Sequence, residues 1–385
     1  MKILFLDQSG KLGGAELSLT DLAKPYRHHC LVGLFADGTF RELLEHQQIP
    51  VQVLTTEPIR VKKDSGIFQS LESMNSLVPL IIKVTQIARD YQLIYANTQK
   101  ALVVGAFASL FSHRPLVYHL HDILSPDHFS LTNRRIAVTL TNRLASLVIT
   151  NSQATQTAFI AAGGRSELTK VVYNGFELNS YKTQANDPNH IRKKLGLDGQ
   201  FIVGHFSRLS PWKGQHILLE ALTQCSPEVS AILVGDALFG EQNYVQHLHQ
   251  QVAELGLKER VQFLGFRSDI VPLMKACDLI AHTSTAPEPF GRVIVEAMLC
   301  ERPIVAAAGG GVIELIEAEK TGWLFSPNNS PQLAQIITTC RNQPERAATM
   351  ARQAQSQASQ RFNLNTVNQQ IAQLLDRVIF TQSLN

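Results

Sequence analysis

The sequence predicts an α/β protein of two tandem doubly wound, Rossmann-like domains. Three observations carry this. Short apolar runs, several rich in β-branched residues, alternate with helical patterns. The alternation stops once, at a polar stretch, and then a second series starts. The length, 385 residues, suits two domains of ordinary size.

In the first series the runs are Ile3–Leu6, Leu31–Phe35, Val51–Leu54, Leu93–Ala96, Leu116–His119, Leu147–Thr150 and Lys170–Tyr173. Bounded by polar or glycine residues, they read as strands buried on both faces of a parallel sheet. Helical patterns at Leu17–Ala23, Pro79–Asp90 and Gln99–Phe111 supply crossovers. From Phe176 to Gln200 the chain is polar and contains Asn186-Asp187-Pro188-Asn189. Residues 181–200 are therefore expected to link a domain of residues 1–180 to one of residues 201–363. The second series has strands at Phe201–Phe206, Ala231–Val234, Val261–Leu264, Leu279–His282 and Pro303–Ala306, with helices such as Gln215–Leu222 and Tyr244–Leu255. Finally, Leu364, Val367, Ile371, Leu374 and Val378 recur at spacings of three and four, one apolar stripe on a helix over about 364–385. That helix either packs locally or crosses back to the first domain; the fold expected here has it crossing back.

Composition narrows the function. Charged residues are 17% and the net charge is +3, too little basic excess for a nucleic-acid binder, and none is expected as a partner. Five dispersed cysteines without a Cys-x-x-Cys pair argue against a disulfide framework or a zinc knuckle and for a reducing cytoplasm. The longest uncharged apolar stretch, Ala101 to Phe111, has 11 residues, whereas about 18 are needed to span a bilayer. Residues 1–180 hold 17 Lys+Arg against 14 Asp+Glu, and the remainder 18 against 18. Arg60, Lys62 and Lys63 cluster there, as do Arg134 and Arg135. They read either as a solvated face or as contact with an anionic acceptor or membrane surface.

Candidate anion sites follow two strands. After the first comes Gly10-Lys11-Leu12-Gly13-Gly14, a turn whose N–H groups can approach a phosphate, although it is neither a dinucleotide fingerprint nor a Walker loop. After Phe206, Arg208 and Lys213 precede a helix near Gly214, where a doubly negative group would be at home. In Glu288-Pro289-Phe290-Gly291-Arg292-Val293-Ile294-Val295-Glu296, Glu288 lies in a loop and Glu296 on the second turn of the helix that follows. Carboxylates suit vicinal hydroxyls of sugar or ribose. Each feature also has a plainer reading: a tight turn, surface cations, or an Arg292–Glu296 pair one helical turn apart.

Taken in order, these residues resemble family 4 of the glycosyltransferases, retaining sugar-nucleotide-dependent enzymes of the GT-B fold. The resemblance rests on Gly13-Gly14-Ala15-Glu16, the Arg208…Lys213-Gly214 spacing, Val261–Phe266, Glu288-x(7)-Glu296, Gly309–Glu314 and Thr321–Phe325. It implies a donor held in an interdomain cleft, mainly on the second domain. Arg208 and Lys213 would neutralise the diphosphate, Glu296 would take the ribose, and Glu288 would sit by the transferred sugar. Amides around Phe290, Gly291, Arg292 and Val293 would meet sugar and phosphate oxygens. Phe266 and Arg267 would reach the base through their main chain, and Gly13 and Gly14 would close on the diphosphate. His121, beside Asp122, would stand near sugar and acceptor, with His119 as the other candidate.

The implied activity is transfer of a hexose, glucose from UDP-glucose, to a glycan or lipid-linked oligosaccharide in polysaccharide biosynthesis, by a cytoplasmic protein peripheral to the membrane. No cofactor or metal beyond the donor is expected, because the chain contains no Asp-x-Asp. A non-catalytic nucleotide- or carbohydrate-binding scaffold of the same fold is the alternative class.

Overall fold

The computed structural model describes residues 1–55, 67–126, 128–182, 187–238 and 240–383. Arg60, Lys62 and Lys63 lie outside the described residues. The chain divides into two compact units, Met1–Phe176 with Leu364–Asn385, and Glu177–Asn363.

In the first unit the strands are β1 (Ile3–Asp7), β2 (Cys30–Leu34), β3 (Val51–Val53), β4 (Leu93–Ala96), β5 (Leu116–Leu120), β6 (Ala145–Thr150) and β7 (Thr169–Val171). Every pairing is parallel, in the order β3-β2-β1-β4-β5-β6-β7. Interleaved are α1 (Gly14–Ala23), α2 (Thr39–His46), α3 (Ile67–Ala88), α4 (Gln99–Ser112), α5 (Leu131–Leu144) and α6 (Gln153–Ala161). Leu4, Leu6, Ile94 and Ala96 point to one face of the sheet, under α3 to α5; Ile3, Phe5, Leu93 and Tyr95 point to the other, under α1 and α2. The period-2 alternation thus feeds two apolar layers. Pro79, expected to open a helix, lies inside α3. It is exposed, so the apolar face of α3 continues past it into the core.

The second unit begins earlier than expected. Residues 181–200, read from sequence as a linker, belong to it, with α7 (Leu178–Lys182) and α8 (Pro188–Lys194). Asp187-Pro188 is a helix start: Asp187 accepts from the Asn189 N–H at 3.0 Å and Pro188 occupies the first turn. Arg192 then ties α8 to Asp278 at 2.6 Å. Beyond it lie β8 (Phe201–Phe206), α9 (Gln215–Thr223), β9 (Val229–Val234), α10 (Gln242–Glu254), β10 (Val261–Gly265), α11 (Ile270–Ala276) and β11 (Leu279–His282). There follow α12 (Arg292–Leu299), β12 (Ile304–Ala307), α13 (Val312–Leu315), β13 (Trp323–Phe325), α14 (Ser330–Asn342) and α15 (Pro344–Arg361). The sheet is parallel, in the order β10-β9-β8-β11-β12-β13.

The last helix, α16 (Leu364–Ser383), rejoins the first unit, as the fold reading expected. Val367, Ile371 and Leu375 are buried in the layer that holds Phe5 and Leu19, with Leu374 and Val378 at its margin. Asn368 also donates to the Asp21 carbonyl at 3.2 Å.

Candidate active site

Each sheet reverses its strand order once, between β1 and β4 in the first unit and between β8 and β11 in the second. In open parallel sheets the crevice at the carboxyl ends of such strands is where ligands bind. Most of the residues singled out from sequence lie at these two places; Phe266 and Arg267 follow the edge strand β10.

At the second switch point, Lys213 is set by a short relay. His205, on β8, bonds Thr283 Oγ1 at 2.9 Å, and Thr283 lies 2.8 Å from the Gly214 carbonyl and 3.0 Å from that of Lys213. Since the hydroxyl hydrogen goes to a carbonyl, His205 Nε2 is the donor to Thr283. Burial, reinforced by the nearby His282 and Lys213, pushes His205 down to about 3, so it serves as a neutral strut. Gly214 has φ +69°, and a Cβ there would stand 2.0 Å from the Thr283 oxygen, which only glycine avoids.

The relay delivers Lys213 Nζ to Glu288 Oε2 at 2.7 Å and over the Trp212 ring at 3.9 Å. The same oxygen accepts from Ser284 Oγ at 3.0 Å and His282 Nε2 at 3.1 Å. Glu288 is only 8% exposed. Burial alone would raise its carboxyl; the Lys213 charge and the His282 hydrogen bond outweigh it and hold the group well below the usual carboxylate range. The Glu288 backbone is fixed as well. Its carbonyl accepts from Gly311 N at 2.7 Å, and Gly310, at φ +63°, leaves room where a Cβ would meet that carbonyl at 2.2 Å.

Arg208 takes a different partner, Glu241, with Nε 3.4 Å from Oε2, while Ser210 donates to the other oxygen at 2.6 Å. Glu296 is buried on α12, 3.8 Å from Arg292 Nε, the i,i+4 geometry of the plainer reading. Gly291 caps α12, so Arg292 and Val293 offer first-turn N–H groups. Phe290 is buried, edge-on to Phe362 at 5.9 Å, and contributes to the core. Phe266, 67% exposed, follows β10 on the same edge of the sheet, and Arg267 is turned onto Asp269 at 2.6 Å.

At the first switch point, Asn97, just past β4, donates to Asp7 Oδ2 at 2.7 Å and to the Ala15 carbonyl at 3.2 Å. Its Oδ1 therefore accepts from His121 Nε2, at 2.8 Å. The His121 and His119 rings lie 3.9 Å apart, and His119 bonds the Tyr95 hydroxyl at 2.8 Å. Burial, then His121, keeps His119 well below its ordinary value. A Cβ on Gly13 would stand 2.7 Å from Glu16 Oε2, so this acid reaches back over the Gly13-Gly14 turn. Burial lifts Asp7 to about 6 against its hydrogen bonds, and burial followed by the Asp7 charge lifts Glu16 to about 8.

Sequence reasoning missed His282, Ser284, Thr283, Asp7 and Asn97. The signal was available for the first three: an apolar strand that ends in His282-Thr283-Ser284-Thr285 at a switch point. Among the described residues no group of three or more His, Cys, Asp or Glu could hold a metal ion.

Two family models match the chain. Glycosyltransferase family 4 covers residues 12–180 and glycosyl transferases group 1 covers residues 187–357. HepE of Anabaena, solved in complex with UDP and glucose, is 64% identical over 98% of this chain and 100% of its own, with a TM-score of 0.92. The chain belongs to the family 4 glycosyltransferases. This glycosyltransferase is also 30% identical over 271 residues to spore coat protein SA of Bacillus subtilis, 67% of this chain and 71% of that one. Sucrose-phosphate synthase of Thermosynechococcus elongatus, at 20% identity and a TM-score of 0.83 over 99% of each chain, shares the GT-B fold of two Rossmann-like domains.

Proposed function

We propose that this glycosyltransferase moves glucose from UDP-glucose, with retention at the anomeric carbon, to a glycan or lipid-linked oligosaccharide in polysaccharide biosynthesis. The observation that carries the donor site is the Lys213–Glu288 pair at the second switch point, with Arg208 on the adjoining loop. Lys213 and Arg208 neutralise the diphosphate, Glu288 meets the sugar, Glu296 the ribose, and the amides from Phe290 to Val293 the remaining oxygens. The main chain at Phe266 and Arg267 takes the base. HepE, 63% identical in its complex with UDP-glucose, supports the choice of base and sugar.

In the reaction the bond from sugar C1 to the phosphate oxygen breaks and one from C1 to the acceptor oxygen forms. The departing phosphate takes the acceptor's proton, so no protein nucleophile is required. Developing charge on the leaving group is met by Lys213, Arg208 and first-turn amides, without a divalent metal. Gly13, Gly14 and His121 in the first unit serve the diphosphate and the acceptor side.

A lipid-linked acceptor goes with contact between the first unit and an anionic membrane from the cytoplasmic side. What supports it is α4, which exposes Phe107, Leu110 and Phe111 with half-buried Val103 beside them, flanked by exposed Val78 and Ile82 on α3 and Ile136 on α5. The helices α3, α4 and α5 carry five Lys or Arg against one Glu. No described helix is long and apolar enough to cross a membrane.

The deciding experiment is calorimetric titration with a panel of nucleotide sugars, followed by NMR of the released or transferred sugar. UDP-glucose should bind best and the first-formed product should be the α-anomer, with turnover retained in excess chelator. Tight binding without turnover on any acceptor would favour the scaffold reading instead.

A further inference from the structure

Among the described residues, every hydrogen bond to the Glu288 carboxylate falls on one oxygen. Lys213 Nζ, Ser284 Oγ and His282 Nε2 all converge on Oε2, at 2.7, 3.0 and 3.1 Å. Among the described residues Oε1 has no such partner, yet it is not sealed in the core. The carboxylate is therefore split into an anchored oxygen and one left for a ligand. Resting on the reading of Glu288 as the sugar-side carboxylate, we propose that His282 is a positioning residue: with Ser284 it pins Oε2, keeps Oε1 directed at the transferred sugar, and holds the carboxylate when Lys213 turns to the diphosphate.

Three points support this. A carboxylate oxygen only accepts, so His282 Nε2 carries a hydrogen and is a true donor. Lys213 Nζ is the nearest donor to Glu288 among the described residues, and the same Nζ is asked to neutralise the diphosphate. Once it turns away, a carboxylate this buried needs donors that stay, and His282 and Ser284 sit on the end of β11 and in the loop just after it. Finally, His282 is not there to fill the core. It is 3% exposed, its Nδ1 is buried without a partner, and it closes a strand whose other residues are Leu279, Ile280 and Ala281. An apolar residue would fit that strand without leaving a buried nitrogen unsatisfied, an arrangement native proteins keep for a reason.

The test compares wild type with His282→Leu, His282→Gln and Ser284→Ala. It reads the Kd of UDP, the Kd of UDP-glucose and the kcat of donor turnover. UDP lacks the sugar, so His282→Leu should bind it within about twofold of wild type, while losing the gain in affinity that the sugar supplies and about tenfold in kcat. His282→Gln, whose amide N–H reaches the same oxygen, should recover most of both. A His282→Leu enzyme with unchanged kcat and unchanged sugar discrimination overturns the proposal, as does a His282→Gln enzyme no better than His282→Leu. If His282→Leu does not fold, Ser284→Ala decides: it removes a donor from the same oxygen and must lower kcat at constant UDP affinity, or the proposal fails. Wild type that neither binds nor turns over a nucleotide sugar sinks the functional reading first, which separates the two failures.

Discussion

The two switch points share a topology and differ in electrostatics. In the second unit a buried carboxylate, Glu288, faces a lysine 2.7 Å away and is held ionised. In the first, Asp7 and Glu16 face each other across β1 and α1 with neutral hydrogen-bond partners, and both are lifted, to about 6 and about 8. The fold supplies the crevice in both cases; the side chains at the strand ends decide whether it favours an anion or a proton. On the proposed function, the cations Lys213 and Arg208 suit the second switch point to a diphosphate, whereas the first carries raised acids beside the Gly13-Gly14 turn.

Removing the cation should break this difference most sharply. Charge-assisted bonds are worth roughly 1.5–3 kcal/mol, so Lys213→Ala should weaken UDP binding about 10- to 100-fold. It also leaves Glu288 buried without its counter-charge, so the melting temperature should fall by several degrees. Adding Glu288→Gln to Lys213→Ala should restore stability but not binding, a coupling that calorimetry and thermal melts in a double-mutant cycle measure directly. If the double variant melts no higher than Lys213→Ala, the ion pair is not what stabilises this site.

The glutamates of the second unit should then separate in kinetics. Glu296→Gln should mainly weaken nucleotide affinity, since ribose is present in ground and transition states alike, whereas Glu288→Gln should mainly lower kcat. Matching affinity losses at unchanged kcat in both would contradict the assignment.

Much of this was legible in the sequence, for reasons that differ by region. Buried parallel strands are near-continuous apolar runs, so β1, β4, β8 and β11 stood out, and the stripe of α16 showed as period. Arg208, Lys213 and Glu288 drew notice because charged residues stand where apolar strands end, although their role is not read from that placement alone. The segment 181–200 misled because a capped helix start and a linker use the same residues, Asn, Asp and Pro. Partners were not legible. That Arg208 goes to Glu241 and Lys213 to Glu288 depends on loops folding back over 33 and 75 positions. The acid pair Asp7–Glu16 was hidden because desolvation, which has no sequence signature, sets its protonation.

The outer surfaces of the two units also differ. Apolar side chains crowd the α3–α5 face of the first, whereas in the second exposed Leu255, Phe266 and Ile313 stand on separate elements. Phe107→Ser with Phe111→Ser should lower affinity for vesicles containing anionic lipid about tenfold, on about 1 kcal/mol or less per partly inserted ring. UDP affinity should not change. High salt should weaken but not abolish wild-type binding, since screening touches the lysines and arginines of this face and not its apolar side chains. Co-sedimentation that is indifferent to both substitutions would leave α4 without a membrane role.

The finest test of the contrast is the direction of pH dependence. Glu16 has a folded value of about 8 against an ordinary 4.5, and Asp7 about 6 against 3.8. A raised carboxyl favours the folded state fully below its unfolded value, and that contribution is lost as pH rises through the folded value. Glu288 is depressed, so its contribution is present above the ordinary 4.5 and is lost as pH falls. Between pH 6.5 and 9, Glu16 must therefore become increasingly costly to bury, under the charges of Asp7 and Asp122. The linkage difference across that interval is of order 2 kcal/mol. Glu16→Gln removes the ionisable group while keeping its shape. Its melting temperature relative to wild type should climb by several degrees from pH 6.5 to 9, whereas that of Glu288→Gln relative to wild type should stay flat over the same range and climb only on acidification below about 4.5. A Glu16→Gln difference that does not move with pH would mean Glu16 is ionised in the folded first unit, and the opposition between the two switch points would disappear.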